Sequence, residues 1–161
     1  MYLLDANVFM EASRLYYSFE LAPGFWRWLA DPSMLGRVAS IPAVRDEITA
    51  GKGDLVSWAR TLPSSFWLPD SAGVATALVE LANWATAPER AYRQEAIDLF
   101  LGSADYQLIA HAMASGATVV TREQRAPGAK RVIKIPDACD SHGLASTDPF
   151  TTFRALGLRL T

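Results

Sequence analysis

The sequence predicts a three-layer α/β/α domain built on a central, mainly parallel sheet. Short apolar runs bounded by Gly, Pro or polar residues recur along the chain as strand candidates, and helical stretches alternate with them. The runs are continuously apolar and do not strictly alternate, as suits inner strands covered by helices on both faces. With 161 residues, half of them hydrophobic, the chain has the length of one domain and enough apolar side chains to bury a core without staples.

The first strand is Tyr2 to Leu4, closing on Asp5. A helix over Gly24 to Ala30 follows, then a strand over Val38 to Ile41 and helices over Ala43 to Ala50 and Asp54 to Thr61. Phe66 to Leu68 reads as a third strand. Residues 71 to 101 hold two consecutive helices without a strand between them, Ala72 to Ala85 and Glu89 to Phe100, and so form a helical arm on one side of the sheet. Asp70 is the expected start signal of the first and Pro88 that of the second. Ala104 to Ser115 is the next helix, with Ser103 as N-cap and Gly116 as its C-terminal glycine. Ala117 to Thr121 and Val132 to Ile135 complete the strands, and Asp148-Pro149 opens a last helix over Phe150 to Leu156, which Gly157 ends. Five tryptophans, Trp26, Trp28, Trp58, Trp67 and Trp84, lie mostly in helical material, where packing explains them better than base stacking does.

Composition narrows the function classes. The single Cys139 permits neither an intrachain disulfide nor a Cys-rich zinc cage, which fits a reducing cytoplasm. MYLLDANVFM has neither the basic flank nor the cleavage site of a secretion signal, and no apolar stretch approaches the roughly 20 residues that cross a bilayer. A net charge of −2 argues against a nucleic-acid coat protein that binds through counterion release. Locally the balance reverses. Arg122, Arg125, Lys130, Arg131 and Lys134 face the single acid Glu123 between positions 122 and 134, and form either a local basic surface or a solvated loop. There is no phosphate-cradling glycine motif, and His111 and His142 have no Ser or Cys partner motif, which argues against nucleotide-driven and triad chemistry.

Ligands of open α/β sheets sit beyond the carboxyl ends of the strands, so polar residues that close an apolar strand carry most weight. YLLDAN places Asp5 and Asn7 there, and ATVVTRE places Thr121 and Glu123. Taken singly, Asp5 and Asn7 read equally well as helix caps and Thr121 to Glu123 as a turn. Asp105 reads as a first-turn carboxylate complementing a helix dipole, and Glu47 as a surface glutamate.

The ordered set carries more than its members. A strand closing on D-x-N, a later helical Glu, then A-D-x-x-L-I-A-x-A running through a glycine into V-V-T-R-E resembles the PIN-domain family across essentially the whole chain. The resemblance implies a PIN-like fold and a hydrolase that cuts RNA phosphodiester bonds as an endoribonuclease. Its catalytic and metal-binding acids would be Asp5, Glu47, Asp105 and Glu123, with Asn7 and Thr121 in support. Glu123 departs from the Asp more usual at that position. Magnesium, or manganese in its place, would resolve the repulsion among these carboxylates and activate a water. Arg122, Arg125, Lys130 and Arg131 are the expected RNA contacts, Arg122 and Arg125 foremost, with Lys134 weakest because it falls in an expected strand. Small PIN proteins of this size resemble the toxins of bacterial toxin–antitoxin pairs, which implies a small antitoxin partner and a homodimer. Two alternatives stay open: an aspartyl-phosphate domain of receiver or phosphatase type using Asp5, and a catalytically silent PIN-like binding module.

Overall fold

Four short strands pair in the order β2-β1-β3-β4, all parallel: β1 (Tyr2–Leu4), β2 (Val38–Ala39), β3 (Thr118–Val120) and β4 (Ser146–Thr147). The computed structural model describes residues 1–160. Among them are nine α-helices: α1 (Ala6–Glu11), α2 (Pro23–Leu29), α3 (Pro42–Thr49), α4 (Asp54–Thr61), α5 (Ala72–Thr86), α6 (Gln94–Leu101), α7 (Ala104–Ser115), α8 (Ile135–Ser141) and α9 (Pro149–Ala155). The architecture is thus α/β with an all-parallel central sheet, as the continuous apolar runs foretold. Leu3, Leu4, Val38, Ala39, Val119 and Val120 are all buried, the state of strands with no solvent face.

Register places the strand ends. Tyr2 stands opposite Val38 on one side and Thr118 on the other, and Leu4 opposite Val120. The Asp5 N–H donates to the Val120 carbonyl, so β1 and β3 finish side by side. From β1 the chain proceeds to β2 on one flank and later to β3 on the other. The crevice at the carboxyl ends of β1 and β3 is therefore where the strand order reverses, the place at which open α/β sheets bind ligands.

Helix α7 is the spine beside that crevice. Leu108, Ile109, Ala110, His111 and Ala112 are all buried, Ser103 caps its start by accepting from the Tyr106 N–H, and Gly116 ends it at φ 69°, a conformation that glycine adopts freely. The helical arm lies along it. In α5 a Cβ on Gly73 would come within 3.3 Å of the Ala114 Cβ, and the Tyr106 hydroxyl donates to the Leu78 carbonyl. The tryptophans serve packing: Trp26 and Trp67 are buried, and Trp28, Trp58 and Trp84 pack against the core.

Several sequence expectations are corrected. Val132 to Ile135 forms no strand; Ile133 is buried in the segment that leads into α8, and Ile135, also buried, is the first residue of that helix. The place beside β3 is taken by β4, two half-buried polar residues with no hydrophobic signature. Phe66 to Leu68 contributes a single bridge, Ser40 to Trp67, after a 3₁₀ turn over Ser64–Phe66. The helix expected over Glu89 to Phe100 is broken. A 3₁₀ turn over Pro88–Arg90 ends at Ala91 with φ 54°, and α6 starts only at Gln94. Ser71, not Asp70, caps α5. Asp70 instead meets the buried imidazole of His111, 3.1 Å from Nε2.

Candidate functional site

The carboxylates gather at the β1/β3 crevice. Asp5 caps α1 and is buried, with Oδ1 accepting from the Asn7 N–H at 3.3 Å and Oδ2 from the Thr121 hydroxyl at 3.1 Å. Thr121 Oγ1 in turn accepts from the Glu123 N–H at 3.1 Å, so one threonine joins the two acids across the strand ends. At Thr121, expected in a supporting part, the side chain makes the contacts. At Asn7 the backbone N–H makes the contact, and the residue is exposed.

Electrostatics bind the set together. Burial, with the negative charges of Glu123 and Glu47, pushes the Asp5 carboxyl up to about 6 against the pull of its two hydrogen bonds. Asp105, in the first turn of α7, is pushed up to about 7 by burial and then by Asp5, Glu123 and Glu47. All four expected acids therefore act on one locus. Their situations differ. Asp5 is buried, Asp105 is half-buried at the start of α7, and Glu47 is exposed on α3. Glu123 is engaged on both oxygens: Oε2 accepts from the Ile135 N–H at 2.7 Å, and Oε1 lies 3.7 Å from Lys134 Nζ.

The donor chemistry suits a hard divalent cation, since it consists of carboxylate oxygens whose mutual repulsion a cation relieves. Among the described residues, no three His, Cys, Asp or Glu side chains close into a ready cage. Thiol chemistry has no foothold: Cys139 is buried and its thiol is pushed up to about 12, first by that burial.

Glu123 stands between two clefts. A polar one of about 420 Å³ is walled by Thr121, Gln124, Arg125, Ser146 and Thr147. A small one of about 120 Å³ reaches Asp105 past Ala96, Leu99, Phe100 and Ile133. A third hollow, about 370 Å³, runs from Glu47 past Met10, Arg14 and Phe19 to Lys52.

The basic segment is distributed differently from what chain proximity suggested. Arg122 pairs with Glu11 at 2.8 Å and lies over the rings of Tyr16 and Phe150. Arg125 forms a two-pronged pair with Asp140, at 2.7 and 3.0 Å. Lys130 donates to the Arg90 carbonyl and covers Tyr92, and Arg131 lines a cleft with Arg93 and Glu95. Lys134, ranked last because of its expected strand, is the cation set against Glu123; that strand does not form, so the ground for ranking it last falls away. A signal for this existed. In K-I-P-D a proline and an acid stand in a first helical turn, which marks Lys134 as the residue entering a helix.

A family model described as "Domain of unknown function (DUF4411)" matches residues 2–160, nearly the full length of the chain. The chain belongs to that family. No curated protein and no solved structure matches it significantly. In this DUF4411 chain no described helix is long and apolar enough to cross a membrane.

Proposed function

We propose that the chain is a metal-dependent endoribonuclease of the PIN-domain kind. The observation that carries the reading is that Asp5 and Asp105 are both held well above the usual carboxylate range, first by burial and then by neighbouring acids, Glu123 and Glu47 for Asp5 and these with Asp5 for Asp105, at the point where the strand order reverses. Such shifts cluster at functional sites. Asp5 and Asp105 would hold the divalent ion, with Glu47 at the open rim. When bound, the ion polarises the phosphate, lowers the pKa of a coordinated water and offsets charge on the departing oxygen.

The chain's own groups do the positioning. Thr121 and the Asn7 N–H fix both oxygens of Asp5, so its carboxylate needs no reorganisation to meet a cation. Glu123, tied to Thr121 and Ile135, is a positioned negative charge facing Asp105 and sits one step back from the ion. The role of toxin in a bacterial toxin–antitoxin pair, with a small antitoxin as partner and a homodimer as working form, is the biological setting we propose, by family resemblance. The phosphatase form of the aspartyl-phosphate alternative lacks the second carboxylate two residues after Asp5, where Asn7 stands.

The test is incubation of mixed cellular RNA with purified protein in magnesium, in manganese and in EDTA. Cleavage in the metals and none in EDTA is the expected result; cleavage undiminished by EDTA, or none under any condition, overturns the reading. Metal titration also separates a silent binding module from an enzyme. Arg122 and Arg125 are exposed near Glu123 and are proposed rim contacts for RNA phosphates. Replacing both by Ala should make the salt dependence of RNA binding shallower by roughly 0.7 log units per lost contact on a single strand. Weaker binding with an unchanged slope would return both arginines to their ion pairs with Glu11 and Asp140.

A further inference from the structure

The acidic edge has one intimate cation, and its place is built. Lys134 Nζ lies 3.7 Å from Glu123 Oε1, while the N–H of the next residue, Ile135, donates to Oε2 of the same carboxylate at 2.7 Å. Burial of Ile133 and Ile135 on either side, and Pro136 in the first turn of α8, hold the backbone that carries it. Arg122 and Arg125, nearer to Glu123 in sequence, are committed to Glu11 and Asp140.

The Lys134 side chain is 33% exposed, so a ligand in the crevice can reach it. Its separation from Glu123 is longer than the roughly 2.7–2.9 Å of a charge-assisted hydrogen bond. An ammonium has three donors, and Glu123 is the one side-chain partner found for this one. A phosphodiester entering a nest of carboxylates needs a positive group on its far side, and a lysine meets phosphate as a point charge.

We propose that Lys134 is a phosphate ligand of the site, its ammonium taking a non-bridging oxygen of the RNA phosphodiester presented to Asp5 and Asp105. The assignment rests on the ribonuclease reading. It makes Lys134 a catalytic residue that touches substrate and opposes metal: it attracts the phosphate and repels the cation.

That opposition supplies the test, in the full chain with Lys134→Met and Lys134→Arg. Three quantities are read: manganese affinity by calorimetry without RNA, binding of a labelled single-stranded oligoribonucleotide in EDTA across a salt series, and kcat and KM in manganese. Lys134→Met should lower kcat/KM about 100-fold, the scale of losing one preorganised electrostatic donor. Its RNA salt slope should become shallower by roughly 0.7 log units. Manganese should bind it as tightly as wild type or more tightly, because a repelling charge has gone. Lys134→Arg should recover most of the RNA binding.

If Lys134→Met cleaves within about twofold of wild type, the proposal is overturned while the ribonuclease reading stands. If its manganese affinity and melting temperature fall together, Lys134 is a prop for Glu123 and the proposal is equally overturned. A wild type that neither binds manganese nor cleaves RNA overturns both.

Discussion

Asp105→Asn should lower RNA cleavage at neutral pH by about 10³-fold or more, with the fold retained. Asp105 is the acid on which the other three act, and an amide there keeps the volume and polarity of the first turn of α7 while removing the charge that would bind a divalent ion. Asp5→Asn should be comparably inactive. It is a cleaner probe than Asp5→Ala, because Asp5 is also the N-cap of α1, and losing a cap costs about 1 kcal/mol. The check is cleavage of a defined RNA under single turnover, with circular dichroism reporting the fold. Wild-type rates in either folded variant would remove that residue from the site.

Metal-free stability should fall as pH rises, and a divalent ion should restore it. The Asp105 carboxyl titrates at about 7 in the folded chain, above its ordinary value of 3.8, so the folded state binds the proton more tightly than the unfolded one does. Below about pH 4 both states are protonated and no penalty exists. Between about pH 4 and 7 the unfolded chain ionises first, and stability declines until the folded carboxyl has ionised too. Asp5, at about 6, acts in the same direction. In EDTA at pH 8, Asp105→Asn should therefore be more stable than wild type by on the order of 2 kcal/mol, with the gap closing toward pH 4. Magnesium or manganese should raise the wild-type melting temperature with concentration, by roughly 2.7 kcal/mol at a hundred times its Kd. Asp105→Asn and Asp5→Asn should respond much less. Denaturant melts across pH, with and without metal, decide the matter; an equal metal response in all three proteins would put the ion elsewhere.

Both predictions concern residues that stood out in the sequence for a local reason. Asp5 closes an apolar run at the start of the chain, and Asp105 sits two residues after a capping serine, ahead of a helix that ends at Gly116. Strand ends, caps and C-terminal glycines are written in contiguous residues, which is why β1, β3, α4 and α7 were found nearly at their observed bounds.

What the sequence by itself determined was the α/β class and the parallel inner strands, because periodicity and strand-end chemistry are local properties. The tertiary structure decided which charges face one another. Lys134 reaches Glu123 because Val132 to Ile135 stays out of the sheet and leads into α8, while the polar pair of β4 lies beside β3. Arg122 and Arg125, adjacent to Glu123 in the chain, turn to Glu11 and Asp140 because those partners are brought near by α1 and α8. Asp5 and Asp105 owe their raised pKa values to burial and then to the charges of neighbouring acids, Glu123 and Glu47 for both and Asp5 for Asp105, and these are properties of the assembled fold: desolvation and Coulomb repulsion act through space, between residues far apart in the chain.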